Sequence, residues 1–352
     1  MKVTSTICAA LMAATPTAVA GEDIITNRAL LQLFNPLPSE MASEKNPITD
    51  EKVRLGQMLF HDTRFSLTRK NSCNSCHNLQ TYGVDNQQFS TGDAGGKGGR
   101  NSPTVFNAAL HIAQFWDGRA ADVEEQAKGP VLNPVEMAMP SADEVVKVIQ
   151  SIPGYVTMFK EVFPNDPDPV SYDNFARAVG AFERKLVTPS RFDAFLNGDE
   201  EALTTPEKIG LNNFLGAGCA TCHNGPALGG QLYQKLGLVN PWPELKDEGR
   251  AEVTKQEADK FMFKVPGLRN VAKTYPYLHD GSITDLKKLT SMMAEYQLGR
   301  KLDENQIDSI VTFLNVLTGD LPADLVVKPE LPADGPDTPK PKGGNGDKAG
   351  AS

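Results

Sequence analysis

Two cysteine–histidine motifs are the residues in this chain whose types and spacing point most clearly to chemistry. The chain of 352 residues has five cysteines and five histidines. Four of the cysteines form two C-x-x-C pairs, and a histidine follows each pair at once. The motifs are Cys73-Asn-Ser-Cys76-His77 and Cys219-Ala-Thr-Cys222-His223. Two thiols and an imidazole at this spacing can attach a haem c through two thioether bonds and ligate its iron.

Two other uses of four cysteines stay open at this point. Exported proteins often pair cysteines as disulfides, and two C-x-x-C knuckles can hold zinc. The histidine after both pairs favours covalent haem over these alternatives, because the chain has so few histidines to place there. We therefore predict two haems c, with His77 and His223 as axial ligands of their irons.

The first twenty residues are typical of a signal peptide. Lys2 precedes a short apolar stretch, and Ala18-Val19-Ala20 has the small-x-small pattern of a cleavage site. Cys8 lies in this segment, so we expect it to be absent from the mature protein. Because haem c is attached outside the cytoplasm, the segment and the motifs together predict a periplasmic protein.

Charge and hydropathy exclude two classes of partner. The formal net charge is −9, whereas nucleic-acid binding needs a basic surface. No apolar run is long enough to cross a bilayer. We expect neither a nucleic-acid ligand nor a membrane span, and an acidic chain is compatible with a basic electron-donor protein.

Spacing and helical patterns predict two domains. The two motifs lie 146 positions apart, from Cys73 to Cys219. Apolar residues at helical spacing precede each motif and recur long after it. Cap residues predict helix starts at Ser141, at Thr205 with Pro206 in the first helical position, and near Asp303.

We therefore predict a mainly α fold of two tandem cytochrome c-like haem domains with long connecting loops. The predicted segments are a signal peptide (1–20), an N-terminal haem domain (21–187), a C-terminal haem domain (188–320) and a tail (321–352). The tail is rich in proline and glycine, and we expect it to be largely disordered at its end.

Several blocks of this sequence resemble the bacterial di-haem cytochrome c peroxidase family, over roughly residues 45 to 320. In chain order they are Cys73-Asn-Ser-Cys-His-Asn-Leu, Arg100-Asn-Ser-Pro-Thr-Val-Phe-Asn-Ala, Gln114-Phe-Trp-Asp-Gly-Arg-Ala-Ala-Asp, Pro134-Val-Glu-Met, Phe263-Lys-Val-Pro-Gly-Leu-Arg-Asn-Val, Tyr277-Leu-His-Asp-Gly-Ser and Gln297-Leu-Gly-Arg-Lys-Leu. The resemblance implies an enzyme that reduces hydrogen peroxide to water. It also implies a small monohaem cytochrome c or blue-copper protein as electron donor, and a homodimer.

The resemblance assigns different roles to the two haems. His77 would serve the peroxidatic haem and His223 the electron-transfer haem, with Met293 as distal ligand of the second iron. A His/Met pair raises the reduction potential, which suits a haem that accepts electrons from a mild donor. Met292 is the competing methionine, and we expect it to fill the core.

The resemblance also places a catalytic group and a cation site. Glu136 would move a proton between the two oxygens of peroxide, and Gln126 would orient the peroxide. Trp116 would lie between the haems on the path of electrons. Asn101, with the backbone carbonyls of Thr274 and Pro276, would bind calcium, because oxygen ligands suit a hard cation.

One loop departs from the family. Where the family commonly has a histidine that caps the first iron in the oxidised state, this chain has Asp93. Lys97 is the one other loop residue that could ligate instead. We predict that the first iron has no protein sixth ligand and reacts without prior reduction. We expect His61 and His111 to be satisfied structural residues, and His279 to couple the two halves.

Two alternative functions stay open on the sequence alone. A di-haem electron carrier would need the two motifs only, and Glu136, Gln126 and Trp116 argue against it. A di-haem oxidase of a protein side chain belongs to the same superfamily, and its members have a tyrosine at the position of Met293.

Overall fold

The computed structural model describes residues 24, 25 and 27–342. The predicted signal peptide (1–20), with Cys8, lies outside the described residues, as does the end of the tail from residue 343 onward. Across the described part of the chain, no helix is both long and apolar enough to span a membrane.

Helices dominate the described residues, which confirms the mainly α prediction. The helices are α1 Asp50–His61, α2 Cys73–Cys76, α3 Val123–Leu132, α4 Ala142–Gln150, α5 Pro153–Val162, α6 Tyr172–Glu183, α7 Arg191–Leu196, α8 Thr205–Ala217, α9 Ala251–Thr254, α10 Leu286–Leu298 and α11 Glu304–Val316. Two short antiparallel strands, β1 Tyr233–Lys235 and β2 Met262–Lys264, pair with Tyr233 opposite Lys264.

Side-chain caps fix where the helices begin. Ser141 caps α4 by accepting a hydrogen bond from the backbone N–H of Glu144, and Asp303 caps α11, as predicted. The prediction that Thr205 caps α8 was wrong by one residue. Thr204 is the cap, because its side chain accepts from the backbone of Glu207 while the Glu207 carboxylate accepts from the Thr204 N–H.

The first hydrophobic core forms where α1 crosses α6. Phe60 and Phe182 meet there with ring centroids 5.4 Å apart, and both are fully buried. Gly56 allows the close crossing, because a Cβ at this position would overlap the backbone carbonyl of Ala178. This crossing supports the segment that carries the first motif, since α1 precedes α2.

The second core repeats this construction with α8 and α11. Gly210 lies against the carbonyl of Ser309, where a Cβ would again overlap the backbone. Phe313 packs on Phe192 and Phe214, with ring centroids 5.3 and 5.4 Å away. Each motif is therefore preceded by a helix that crosses a later helix through a glycine contact.

The chain ends cross over between the cores. Ile25 and Phe34, near the start of the described chain, are buried in the second core. Residues 321–331 return to the first core, where Leu325 and Val326 pack. The Gln57 amide donates to three carbonyls of this returning segment. Each core is thus completed by the terminal segment that lies farther from it in sequence.

An internal repeat links residues 107–130 to residues 270–293 at a constant offset of 163 positions, whereas the two motifs themselves lie 146 positions apart. Asn107 and Asn270 both have left-handed backbones, with φ of 60° and 63°, and each begins a 3-10 turn. Isolated β-bridges join Gln114 to Ala120 in the first half and Tyr277 to Ile283 in the second. The repeat continues into the helices, because α3 is capped by Asp122 and α10 by Asp285.

The two repeats meet at one buried threonine between the cores. The side-chain amides of Asn107 and Asn270 each donate to Thr188 Oγ1 at 2.8 Å. Thr188 in turn donates its backbone N–H to Asn107 Oδ1 at 3.1 Å. All three residues are at most 2% exposed. The bonds fix the repeats against each other, because breaking one would leave a buried polar group unpaired.

Candidate functional site

A cavity of about 230 Å³ opens beside the second motif. Cys219, Cys222, His223 and Met293 all line it. Met292 and Met293 both pack against the second core, and of the two only Met293 lines the cavity. The structure therefore brings the residues predicted for the second haem together.

His223 is held as a neutral imidazole. Burial lowers its pKa to about 4, and the backbone of Leu228 and Pro266 opposes part of that shift. Its Nδ1 lies 3.3 Å from the carbonyl oxygen of Leu228. A neutral ring whose Nδ1 is oriented by the backbone can offer Nε2 to a metal.

The first motif lies at the end of a short capped helix. Ser72 and Ser75 form a capping box at the start of α2, and His77 closes the helix by donating its backbone N–H to the carbonyl of Cys73. Burial lowers the pKa of His77, and the nearby backbone of Gly83 and Pro103 opposes the shift. Its Nδ1 is buried without a hydrogen-bond partner. The lowered pKa keeps the ring neutral, which is the form that ligates a metal.

The four cysteines of the motifs are free thiols. Burial raises the pKa of each of them. No group of three or more His, Cys, Asp or Glu able to hold a metal ion occurs among the residues that the structure describes. Unpaired thiols next to a neutral histidine fit covalent haem attachment better than the disulfide or zinc alternatives.

Glu136 is a largely buried carboxyl group that faces the first motif. Burial raises its pKa, while Arg119 and a hydrogen bond from Asn133 oppose the shift. The Asn133 amide donates to Glu136 Oε1 at 2.9 Å. The charge of Glu136 contributes to the raised pKa of both Cys73 and Cys76. The group is therefore near the motif and has the shifted pKa expected of a proton-transfer residue.

The internal repeat shows how the two motifs differ on the side of α3 and α10. Gln126 of α3 corresponds to Leu289 of α10. Leu289 and Met293 both line the cavity beside the second motif. The position that corresponds to Met293 is Pro130, which lies inside α3. Proline has no side-chain atom that can ligate a metal. The position at which α10 has a sulfur therefore carries no potential ligand in α3.

Comparison with known proteins agrees with this geometry. A sequence profile of the di-haem cytochrome c peroxidase family matches residues 50–201. The chain is 46% identical over 316 residues to the cytochrome c551 peroxidase of Pseudomonas aeruginosa, covering 88% of this chain and 90% of that one. It is 46% identical over 307 residues to the cytochrome c551 peroxidase of Nitrosomonas europaea, covering 86% and 90%.

The chain belongs to the di-haem cytochrome c peroxidase family. The 46% identity to two cytochrome c551 peroxidases over most of the chain supports a di-haem c-type peroxidase, which confirms the predicted family and enzyme class. A crystal structure of a MauG-like protein associated with microbial copper homeostasis has a similar fold. Its TM-score is 0.72 at 27% identity, covering 83% of this chain and 95% of that one.

The junction between the halves of this di-haem peroxidase is built around Trp116 and His279, which are equivalent residues of the repeat. Their rings meet edge to face with centroids 6.5 Å apart. Both hold Asn101: the Trp116 Nε1–H donates to the Asn101 carbonyl at 2.9 Å, and the Asn101 N–H donates to the His279 carbonyl at 2.7 Å. His279 also stacks on Phe263, 4.3 Å away. The contacts join the two halves directly.

The three predicted calcium ligands line the same cavity as Trp116. Asn101, Thr274 and Pro276 all contribute to its wall. The Asn101 amide nitrogen donates to the carbonyls of Gln87 and Gln88, at 2.9 and 3.3 Å. These bonds use the nitrogen and leave the side-chain oxygen as the atom able to ligate a cation.

Lys264 and His111 are cavity residues to which the sequence assigned no role at the site. The Lys264 Nζ lies 2.9 Å from His111 Nδ1, and both residues line the cavity. Burial lowers the pKa of Lys264 to about 8 and that of His111 well below its ordinary value. The available signal was Lys264 itself, since a lysine in a short apolar strand is seldom buried without a purpose.

Glu183 is a second residue that sequence reasoning missed. It ends α6, is 4% exposed, and raises the pKa of Cys73 by its charge. Burial, and then Glu124, raise the pKa of Glu183 to about 8, against the effect of Arg184. His61 was expected to be a satisfied structural residue, but it is buried with its Nε2 unpaired. Burial lowers the pKa of its ring to about 4.

Proposed function

We propose that peroxide is reduced at the motif of His77, and that electrons enter at the motif of His223 from a small monohaem cytochrome c or blue-copper protein. The observation that carries this assignment is the pair Pro130 and Met293, which occupy equivalent positions of the repeat. One helix offers a sulfur ligand, and the other offers none. An open coordination position suits peroxide binding, and a closed one suits electron transfer.

The residues present fit two covalently bound haems c. Cys73, Cys76 and His77 would hold the first, and Cys219, Cys222, His223 and Met293 the second. When bound, the haems supply the redox chemistry in which hydrogen peroxide takes two electrons and two protons and yields two molecules of water. In this proposal each half of the chain is one haem domain, with the boundary near residue 187.

Glu136 is the proton-transfer residue of the proposed reaction. Its carboxylate takes a proton from one peroxide oxygen and returns it to the oxygen that leaves as water. Asn133 holds Oε1, so Oε2 is the atom presented to peroxide. Gln126, partly buried on α3, orients the peroxide by hydrogen bonding.

Trp116 provides the path for electrons between the halves. It lines the cavity beside the second motif. Its indole N–H donates to the carbonyl of Asn101, in the loop that follows the first motif. A calcium ion bound by Asn101 Oδ1 and the carbonyls of Thr274 and Pro276 would stabilise this junction. Chelation should then lower peroxidase activity and calcium should restore it, whereas no change after complete calcium removal would contradict the site.

Lys264 would provide a counter-charge for the second haem. Lys264 is 7% exposed, and its ammonium is bonded to a neutral imidazole. A haem propionate in this cavity would therefore stabilise the ammonium. Because a nearby cation favours the reduced haem, Lys264→Met should lower the reduction potential of the second haem by about 60 mV, the equivalent of tenfold in a one-electron equilibrium. Exposed Lys255→Met is the control, and an unchanged potential in Lys264→Met would contradict the role.

We also propose that the oxidised enzyme turns over without prior reduction. Asp93 replaces the histidine of the family, and its carboxylate is bonded to residues 66–71. The test is steady-state oxidation of a reduced small cytochrome c by hydrogen peroxide, starting either from the fully oxidised enzyme or from enzyme with one haem reduced. Immediate turnover by the oxidised form supports the proposal, and turnover only after reduction contradicts it.

Periplasmic location and a homodimer complete the proposal. The support for export is the pattern of residues 1–20 together with the two haem c motifs. Cell fractionation of the full-length chain tests the location, and light scattering of the purified holoenzyme tests the dimer. A cytoplasmic holoenzyme or a monomer at micromolar concentration would contradict the respective statement.

A further inference from the structure

Asp93 is a buried carboxylate that binds four donors. It is 6% exposed. Its Oδ1 accepts from Ser66 Oγ at 2.8 Å and from the backbone N–H groups of Lys70 and Asn71 at 3.1 and 3.2 Å. Its Oδ2 accepts from the backbone N–H of Thr68. A carboxylate satisfied by this many donors has one fixed orientation, because each lost bond would leave a buried polar group unpaired.

The donors belong to the segment that leads into the first motif. Residues 66–71 run directly to Ser72, which caps the helix that carries Cys73 and Cys76. The Asn71 side chain adds a bond to the carbonyl of Thr91 at 2.9 Å. The loop around Asp93 therefore fixes the backbone immediately before the motif.

The other side of Asp93 holds Glu136. The Asp93 N–H donates to the Glu136 carbonyl at 2.6 Å. Gly92 packs against the carbonyl of Val135 so closely that a Cβ there would overlap it. A parallel bond joins the Leu67 N–H to the Met137 carbonyl at 2.9 Å. The peptide that carries Glu136 is thus tied to the segment in front of the first motif, with Asp93 bonded to both.

We propose that Asp93 is a positioning residue for peroxide reduction. It joins the loop 90–97, the Glu136 peptide and the segment 66–71 into one rigid unit, so that the Glu136 carboxyl keeps its place beside the first motif. The proposal rests on the proposed role of Glu136. The same buried hydrogen bonds would hold this loop in place when the redox state of the protein changes.

The test compares Asp93→Ala and Asp93→Asn with the exposed control Asp143→Asn. Asp93→Ala should lower kcat/KM for peroxide about 100-fold, the effect of displacing a reacting group by about 1 Å. Reduction of the second haem by the donor should keep its rate. Asp93→Asn should fall between, because its oxygen can keep the three Oδ1 bonds while its NH₂ group opposes the Thr68 N–H.

Hydrogen–deuterium exchange supplies the readout that does not depend on turnover. In Asp93→Ala, exchange should increase in 66–71, in 90–97 and in the peptide around Glu136 together, with haem content unchanged. Should Asp93→Ala fail to fold, Ser66→Ala removes one donor only and should show the same pattern more weakly. Increased exchange confined to 90–97, or an unchanged kcat/KM in folded Asp93→Ala, would overturn the proposal.

Glu136→Gln separates this inference from the proposed function. If Glu136→Gln leaves peroxide reduction intact, the role of Glu136 is wrong, and Asp93 then has nothing catalytic to position. If Glu136→Gln abolishes peroxide reduction while Asp93→Ala does not weaken it, Glu136 keeps its role and the positioning role of Asp93 is wrong. The acid limb of the pH profile of kcat/KM should shift in Asp93→Ala. A merely structural role of Asp93 would leave that limb unchanged.

Discussion

The two halves of the repeat share a backbone conformation and differ in most of their side chains. Asn107 and Asn270 adopt the same left-handed conformation, and α3 and α10 start from equivalent aspartates. On these matched helices the second half has Met293, whereas the first has Pro130. Under the proposed assignment, one frame would build both a closed electron-transfer site and an open reactive site through the residue at a single helical position.

The halves also differ in the ionisable groups that they bury. Burial raises the pKa of Glu136 and Glu183 near the first motif, and groups of this kind can hold or move protons. The cavity of the second half buries Lys264 beside a neutral histidine. The buried groups with raised carboxyl pKa values therefore lie near the first motif, and a buried lysine with a lowered pKa lies in the cavity beside the second.

Removing the carboxyl group of Glu136 should have the largest effect on peroxide reduction. Glu136→Gln should lower kcat for peroxide reduction by about 100- to 10,000-fold, the usual contribution of general acid–base catalysis. Because burial raises the pKa of Glu136, wild-type kcat/KM should fall as the pH drops through a value above the ordinary carboxyl range, and the variant should lack this limb. Exposed Glu125→Gln should behave as wild type, and an unaffected Glu136→Gln would remove Glu136 from the reaction.

Copying the second site into the first should nearly abolish activity as well. Pro130→Met places a sulfur at the position equivalent to Met293, and methionine is the better helix former. We expect the variant to show a second His/Met spectrum and to lose peroxide binding, measured by stopped-flow absorbance. A variant with the wild-type spectrum and rate would show that the two helix positions are not equivalent toward their motifs.

Removing the sulfur from the second site should have a smaller effect, confined to electron transfer. Met293→Leu should lower the reduction potential of the second haem, because it loses the His/Met pair, and the equilibrium constant for electron uptake from the donor should fall about tenfold for each 59 mV lost. Spectroelectrochemical titration measures the potential. Met292→Leu is the matched control, and equal effects of both substitutions would contradict the assignment of Met293.

The buried carboxyl group Glu183 should produce the smallest effect, on stability alone. Its pKa in the folded protein is about 8, raised from 4.5, so its contribution to stability is present below pH 4.5 and is lost as the pH rises through 8. Glu183→Gln should therefore raise Tm relative to wild type by more at pH 9 than at pH 5, by a few degrees. Exposed Glu161→Gln provides the baseline, and a pH-independent difference would contradict the burial effect.

Local signals in the sequence predicted the motifs and several helix starts, because these depend on neighbouring residues. Ser141 and Asp303 are such cases. The return of the tail to the first core was not predictable, since it depends on long-range contacts such as the Arg64 guanidinium bonded to Asp334 at 2.7 Å. The repeat was also missed, because few residues besides proline, asparagine, aspartate and glycine match, and it is the backbone conformation that repeats.

Some site residues could be predicted from the sequence, and others could not. Met293 and Trp116 were found through family blocks, and the cavity brings both together with His223. The network of Asp93 could not be predicted, because its donors are backbone N–H groups of a segment more than twenty positions away. Lys264 lies in a short apolar strand, which is a weak signal of burial, but its contact with His111 could not be predicted, because the two residues are 153 positions apart.

Electron paramagnetic resonance of the fully oxidised holoenzyme tests the division between the two halves most directly. If Pro130 and Asp93 leave the first iron without a protein sixth ligand while Met293 closes the second, the spectrum should contain one high-spin and one low-spin ferric signal. The high-spin signal should disappear in Pro130→Met and persist in Met293→Leu. Two low-spin signals from the wild-type protein, one of them with two nitrogen ligands, would contradict an open first site.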